Sequence, residues 1–552
     1  AKFVAKGGRV SQQDQELALL GDVVRGRISR RDLLTRAAAL GVSAPAFAGL
    51  LAALPQPAAA QDATPGGTPT GSITWALESA PPNVIPFGGI ALAQWWGKEF
   101  MYDSLLMWDQ DLIVQPALAE SYETPDELTY VFHLRKGVRF HDGGEMTAKD
   151  VKYSLETSLN PREPGVKVPY VGNIASVEAV DDYTVKVTMA KADPTLPGTL
   201  AWTHYTPIVP EGLLDRINVL SEGIGTGPFK LKEFVQDDQI VYEAFPEHWQ
   251  AGVPGVATLT LKVSSDEQAR LAALRAGEID GGTFTADVVR TIEGDDSLQI
   301  LSGLTSAPRV IQFNTTKEVP WRDIRVRQAI NKTVDRQEII DKVYSGDAVL
   351  TGAIPPGYGD WPLTDEQVKA IYTVDVEGAK ALMAEAGYAD GFEVTLQAIS
   401  APREYTQIAE IVQQQLKQIN INVKVEPLEI GTFADNIGKG NFEWASTGRG
   451  MRGDPSGHVV DFRSGTANNL VWFGDGWKND ELDALYDEAL TTVDQARRHE
   501  LYNKIQELIL TEVANLYTVV GMKYQVASTR VQGMYVFYGN TNPGLRTATV
   551  TE

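Results

Sequence analysis

Cysteine is absent from the sequence. That excludes disulfides, iron–sulfur clusters, thiolate zinc sites, cysteine nucleophiles and a lipid-modified N-terminal cysteine, and it leaves the redox compartment open. Histidine is scarce, with six residues scattered along the chain. His133 and His141 bracket the alternating segment HLRKGVRFH, but no second pair of ligands accompanies them, which favours a structural role over a metal site. No Gly-x-Ser-x-Gly elbow, His-Glu-x-x-His or Walker A loop occurs, so no motif names a catalytic residue, a metal or a cofactor. Basic residues are outnumbered, 49 Lys+Arg against 72 Asp+Glu, for a net charge of −23. The first sixty residues hold eight basic and four acidic side chains, so the remainder stands at 41 against 68, or −27. Such a surface repels phosphate backbones and anionic head groups, which argues against nucleic-acid binding and a membrane-surface role.

What is present is the composition of an ordinary globular protein, 43% hydrophobic and 22% charged over 552 residues. That length suits about two to four domains. The N-terminus reads as a targeting segment. Arg30 and Arg31 precede an uncharged stretch from Ala37 to Ala60, which ends in the small-x-small site Ala58-Ala59-Ala60. The pattern resembles a twin-arginine (Tat) export signal over residues 1–60 and implies the Tat translocase as a partner during export. A retained transmembrane anchor is the alternative; Pro45, Pro55 and Pro57 and the missing basic flank after Ala60 argue against it. Residues 61–71 read as a flexible tether, and no later apolar run reaches membrane length.

The body alternates strands and helices. Residues 72–77 and 183–189 show the period of two expected of half-buried strands. Thr147 opens a helix with Asp150 in its first turn and Val151, Leu155 and Leu159 on one face. Ser265 and Gln268 form a candidate capping box, with Gly277 as the helix stop. Residues 393–399, 405–419 and 423–428 read as strand, amphipathic helix, strand, and a single crossover helix makes the two strands parallel. Residues 480–490 and 496–513 read as helices ahead of a strand at 516–520. The segment Gly448-Arg449-Gly450-Met451-Arg452-Gly453 satisfies G-x-G-x-x-G, but it lies far down the chain and carries two arginines. The acid at dinucleotide spacing, Asp475, sits in a Gly-rich loop, so a Rossmann site is set aside.

Residues 116–159, PALAESYETPDELTYVFHLRKGVRFHDGGEMTAKDVKYSLETSL, resemble the signature of family 5 extracellular solute-binding proteins, the peptide/nickel/oligosaccharide receptors of ABC importers. Further blocks follow in the family's order: GTGPF at 225–229, RLAALRAGEIDG at 270–281, FNT at 313–315, DIRVRQAI at 323–330, AKALMAEAGY at 379–388, residues 409–419, and GDP at 453–455. The resemblance covers nearly everything after Ser72. It implies an α/β, two-lobed periplasmic-binding-protein-like fold (type II, cluster C-like) with an extra domain inserted in lobe I. Lobe I maps to 72–100, 225–308 and 518–552, the inserted domain to 101–224, and lobe II to 309–517. The hinge then falls at Ala307, Pro308 and Gln312 on one crossing and at Leu516 and Gly521 on the other. Gly137, Asp142 and Gly143 are expected to set turns, and Gly225 and Gly227 to let the chain re-enter lobe I.

The same resemblance implies an exported receptor, periplasmic or otherwise extracytoplasmic, that hands a small solute to a membrane permease and acts as a monomer without enzymatic chemistry. Peptide-binding members carry Trp-x-x-Asp ahead of Gly-Asp-Pro, the Asp pairing with the peptide ammonium. Here those two positions are Gly448 and Met451, with Arg449, Gly450 and Arg452 around them, so the charge asked of the ligand is reversed toward a peptide-like, opine-like or other anionic compound. Ion pairing of the arginines with Asp454 or Asp461 is the structural alternative. Trp95, Trp96, Tyr358, Trp361, Trp472 and Trp477 fall on segments that border the cleft in this family, as stacking surfaces or as core. An oligosaccharide receptor, a secreted hydrolase and a surface-anchored protein are the competing functions. A chain beginning at Gln61 is expected to melt at the temperature of the full chain; a large drop shows that the leader packs on the body.

Overall fold

Alternating apolar side chains make Ser72–Leu77 a strand that buries Ile73, Trp75 and Leu77. In the computed structural model, which describes residues 68–87, 95–110, 112–159, 171, 173–218, 220–450, 454–492, 494–539 and 541–551, this strand lies in the middle of an eight-stranded sheet. The export segment with Arg30, Arg31, Ala58 and Ala60 falls outside the described residues, as do Met451 and Arg452. The order in the large sheet is Leu298–Leu304, Val519–Ser528, Gly281–Phe284, Ser72–Leu77, Thr258–Val263, Gln239–Ala244, Phe229–Val235, with Ala348–Leu350 also paired to Val519–Ser528. Ser72–Leu77 runs parallel to both neighbours, and most other pairs are antiparallel.

A five-stranded sheet has the order Ile421–Leu428, Phe392–Ile399, Trp444–Gly448, Arg309–Phe313, Asn515–Tyr517. The expected parallel unit is here: Phe392–Ile399 and Ile421–Leu428 pair in parallel across the helix Glu404–Leu416, whose Ile408, Val412 and Leu416 are buried. A four-stranded antiparallel sheet, Ala119–Asp126, Thr129–Leu134, Thr184–Met189, Ile174–Asp181, carries the alternating family signature. Among the described residues four apolar clusters follow from these sheets, the smallest around Leu271, Phe284, Val289 and Val526. One lies on the eight-stranded sheet around Trp75, Phe229 and Tyr242. A second lies on the five-stranded sheet around Phe313, Trp444 and Val412. The largest runs from Phe132, Val185 and Val187 of the four-stranded sheet to Phe462, Tyr502 and Ile505.

Local chemistry agrees with the sequence in most places and shifts it in two. The helix Ala148–Leu159 starts where expected, Asp150 accepting from Thr147 N–H at 2.8 Å and, with its other oxygen, from Glu211 N–H at 2.9 Å. The helix Glu267–Arg275 is capped by Asp266 rather than Ser265: its carboxylate takes Ala269 N–H at 2.7 Å, while the Ser265 carbonyl is engaged by Arg270. The strand expected at 516–520 is broken at Thr518, whose N–H and hydroxyl both donate to the Arg309 carbonyl, at 2.9 and 2.8 Å. His141 explains the HLRKGVRFH segment without a metal. Its Nε2 meets the Gly227 carbonyl at 2.9 Å, its Nδ1 accepts from Gly225 N–H at 3.3 Å, and burial pushes its pKa down to about 4.

Gly227 shows why this return segment needs glycine. Its N–H donates to the Met101 carbonyl at 2.9 Å, and a Cβ placed on it would stand 2.4 Å from the Met101 carbonyl carbon and 2.6 Å from the Phe100 oxygen. Both are backbone atoms and cannot swing aside. Gly227→Ala is expected to cost ~1–3 kcal/mol of stability. Thermal and urea melts of the variant check this, and an unchanged midpoint contradicts the packing.

Candidate functional site

The two sheets meet where the chain passes from Leu298–Leu304 into Arg309–Phe313 and from Asn515–Tyr517 into Val519–Ser528. Arg309 is held there by its surroundings. Its Nε and Nη2 donate to Glu404 at 3.0 and 2.6 Å, its Nη1 to the Ala307 carbonyl at 2.6 Å, and its guanidinium lies 4.9 Å from the Tyr405 ring. Burial alone would lower this guanidinium's pKa, and Glu404 with its neighbours more than reverses that, so it stays charged. The other expected hinge residues surround this point. Gln312 is buried, in register with Ala445 and Asn515, and Leu516 is buried opposite Ile311. Gly521 lies opposite Ala348, and a Cβ on it would reach to 2.4 Å from the Tyr344 ring.

Arg449 projects from the end of the strand that pairs with Arg309. Gly448 is in register with Arg309, and the next N–H, that of Arg449, donates to the Pro308 carbonyl at 3.1 Å. The Arg449 side chain is buried, 7% exposed, with the rings of Phe462 and Trp472 each 5.3 Å from its guanidinium. Nη1 donates to Asp461, whose other oxygen accepts from Asn468 at 2.9 Å. The ion-pair alternative is therefore realised with Asp461. Asp454 pairs instead with Arg498 at 2.6 Å. The pairing uses only one corner of the guanidinium, because Nε and Nη2 are buried with no hydrogen-bond partner among the described residues. These two N–H groups lie on the same edge and point the same way, the geometry that receives both oxygens of a carboxylate. Nearby, the Tyr517 hydroxyl is also buried without a partner. Burial pushes its pKa up to about 12, with Arg449 opposing and Asp461 reinforcing, so at neutral pH it retains its proton and can donate.

The remaining candidates divide. Trp472 belongs to the Arg449 site: it flanks the guanidinium, and its Nε1 is tied to the Ile437 carbonyl at 3.1 Å. Gly450 is exposed, with open space where a side chain would stand. Tyr358 is buried, its hydroxyl 3.0 Å from His458 Nε2 and its ring edge-on to Tyr538 at 5.6 Å. Trp361 packs on Tyr502 at 5.8 Å, with the Arg498 guanidinium 5.3 Å away. Trp95 stacks flat on His204, centroids 4.9 Å apart, in a buried group with Trp202 and Tyr205. Trp96 and Trp477 take the core alternative. Trp96 lies in the apolar cluster of the eight-stranded sheet, and Trp477 is buried against Phe462 and Phe473, its Nε1 on Glu512 at 3.0 Å. Both are core because the neighbours that close over them come from distant segments. Sequence alone also misses Tyr517, which patterning marks only as one position of a strand.

With this geometry in place, five similarities bear on the chain. It matches the family model described as bacterial extracellular solute-binding proteins, family 5 Middle, over residues 114–469. It is 28% identical over 466 residues to the glutathione-binding protein GsiB of Salmonella choleraesuis (strain SC-B67), covering 81% of this chain and 88% of that one. It is 30% identical over 462 residues to heme-binding protein A of Haemophilus influenzae, covering 76% and 81% respectively. Among solved structures, the binding protein AgaA from A. tumefaciens R10 in complex with agropinic acid superposes with a TM-score of 0.76 at 27% identity, over 87% of this chain and 99% of that one. The periplasmic binding protein DppA of Helicobacter pylori with the peptide STSA gives 0.76 at 25%, over 88% and 98%. The α/β sheets, the ordered sequence blocks and these similarities together place the chain in the bacterial extracellular solute-binding proteins, family 5.

Proposed function

We propose that this protein is the exported receptor of an ABC importer and that it captures a carboxylated or otherwise anionic solute between two hinged lobes. Relatives described as an ABC transporter-associated periplasmic binding protein and a glutathione-binding protein support the importer role. Family members are binding proteins, and the reading assigns no covalent step. The observation that carries the ligand class is the free Nε/Nη2 edge of Arg449, a buried cation already oriented by Asp461 and by two rings. Tyr517 supplies a third donor beside it. An aspartate at the Met451 position would have favoured an ammonium group; a buried ammonium without a partner costs several kcal/mol, so ordinary peptides are poor ligands in this reading.

Lobe I comprises 72–100, 225–308 and 518–552, lobe II 309–517, with 101–224 inserted in lobe I. Sheet membership supports this division, as seven of the eight strands of the large sheet fall in the first set. Ala348–Leu350 is the exception: it lies in lobe II by sequence and pairs with Val519–Ser528 beside the crossing. Closure then turns on the paired crossings at Pro308–Arg309 and Thr518, because only a closed state brings contacts from both lobes to one ligand.

Mass spectrometry of small molecules released from the denatured protein identifies the cargo, and calorimetry with it tests the site. Arg449→Gln is expected to weaken binding by ~1.5–3 kcal/mol. Arg449→Lys, which keeps the charge for Asp461 but lacks the two-pronged edge, is also expected to bind more weakly than the parent. If both variants bind as the parent does, or if the cargo is a neutral sugar, the anion reading fails and the oligosaccharide alternative replaces it. Saturating cargo is expected to shrink the radius of gyration in solution scattering; an unchanged radius contradicts hinge closure.

A further inference from the structure

A cavity of about 70 Å³ lies between residues 99–108, the loop 201–204 and the C-terminal stretch 537–546, apart from the Arg449 site. Its charged wall is internally satisfied. Asp103 receives Arg546, the Thr226 hydroxyl at 3.1 Å, Trp249 Nε1 at 2.9 Å and His248 Nε2 at 3.3 Å, while Glu99 accepts Asn542 N–H at 3.1 Å. Three nitrogen atoms lining the same cavity are not satisfied. Among the described residues, Trp108 Nε1, Trp202 Nε1 and His204 Nδ1 are buried with no hydrogen-bond partner, and the side chains of Trp202 and His204 are more than nine-tenths buried. The remaining lining mixes apolar side chains, among them Leu106, Met107, Ala117 and Phe537, with the neutral polar Ser104, Thr203, Gln250 and Thr541.

We propose that this cavity is a second binding site, for an uncharged amide group of about acetamide size. The two indole N–H groups can only donate, and a carbonyl oxygen has two lone pairs to receive them. A neutral imidazole nitrogen accepts or donates according to its tautomer, so His204 Nδ1 suits an amide N–H. Burial, with Lys98 and Arg546 adding to it, holds His204 well below the usual imidazole range and hence neutral. A charged group is disfavoured because the ions in the wall already have their partners. Size excludes larger rings, since the volume is less than half of the ~150 Å³ that accommodates benzene. The apolar lining takes the carbon end of such a group. The proposal uses no part of the Arg449 reading and stands or falls separately.

The test follows the indole N–H resonances of ¹⁵N-labelled full-length protein during titration with acetamide, with acetate as a charged control of equal size. Trp108→Phe and Trp202→Phe assign the two resonances. Acetamide is expected to move both saturably, acetate to leave them in place, and Trp108→Phe to weaken acetamide binding at least fivefold. Trp108 is only partly buried, so that variant keeps the test decisive even where Trp202→Phe fails to fold. Arg449→Lys is expected to bind acetamide as the parent does. No saturable shift with acetamide, an equal shift with acetate, or parental affinity in Trp108→Phe each overturns the proposal and leaves the cavity as a site for water only.

Discussion

Arg309 is the residue on which the junction of the two sheets depends. It begins the strand that pairs with both Trp444–Gly448 and Asn515–Tyr517, so its backbone fixes the register of three strands at the crossing. Its carbonyl takes two hydrogen bonds from Thr518, which ties the outgoing crossing to the returning one. Its side chain is clamped by Glu404, and Glu404 in turn accepts from Tyr344, the ring against which Gly521 must close without a Cβ. Removing either charge of such a buried pair leaves the other uncompensated, which costs far more than the pair contributes. The crossing is thus tied within each strand pair, and the hinge proposed above would turn on the few dihedrals between them.

Arg449 inherits its position from this arrangement, because its amide is bonded to the residue just before Arg309. The sequence sets two readings of Arg449 against each other, ion pair or ligand contact, as though one excluded the other. A guanidinium has five N–H groups on a planar fork, and the structure uses one corner for Asp461 while the Nε/Nη2 edge, though buried, has no hydrogen-bond partner among the described residues. The ion pair is what makes that edge useful: it fixes the plane, and the flanking rings of Phe462 and Trp472 exclude water from it. A lysine offers no such division of labour, since its ammonium is a compact point charge. The −27 charge of the body opposes long-range attraction of an anion, so selectivity in this reading rests on close contact.

Secondary structure was legible wherever a local rule determined it. The period of two at Ser72–Leu77, the strand–helix–strand unit at 392–428 and the helix stop at Gly277 all depend on neighbours in sequence. Asp266 displaced Ser265 as a cap by one residue, within the ordinary ambiguity of helix ends. The aromatic candidates were harder for a physical reason. An indole on a cleft-bordering segment carries no mark of which segment folds over it, and Trp96 and Trp477 are core while Trp472 flanks a cation. Tyr517 was invisible because its hydroxyl matters only through what surrounds it. The Gly-rich motif from Gly448 to Arg452 drew attention because two arginines among glycines are chemically conspicuous and because the family pattern points there; of its five positions the structure describes Gly448, Arg449 and Gly450.

In the hinged reading proposed above, the contacts between the lobes would set how easily the molecule opens. Tyr538, in the C-terminal segment, donates its hydroxyl to the Pro356 carbonyl and packs edge-on against Tyr358, which reaches His458 in the segment that also holds Asp461. A neutral hydrogen bond contributes about 0.5–1.5 kcal/mol net, and an aromatic pair a similar amount beyond its buried area. Together these two contacts amount to about 1–3 kcal/mol, and they add to the pairing of Ala348–Leu350 with Val519–Ser528 and to the Arg290–Asp347 ion pair, which join the same two proposed lobes. In the proposed reading, a ligand held first at Arg449 would have only to add contacts from the other lobe to shift that balance, and Tyr538 and Tyr358 are already joined across the two.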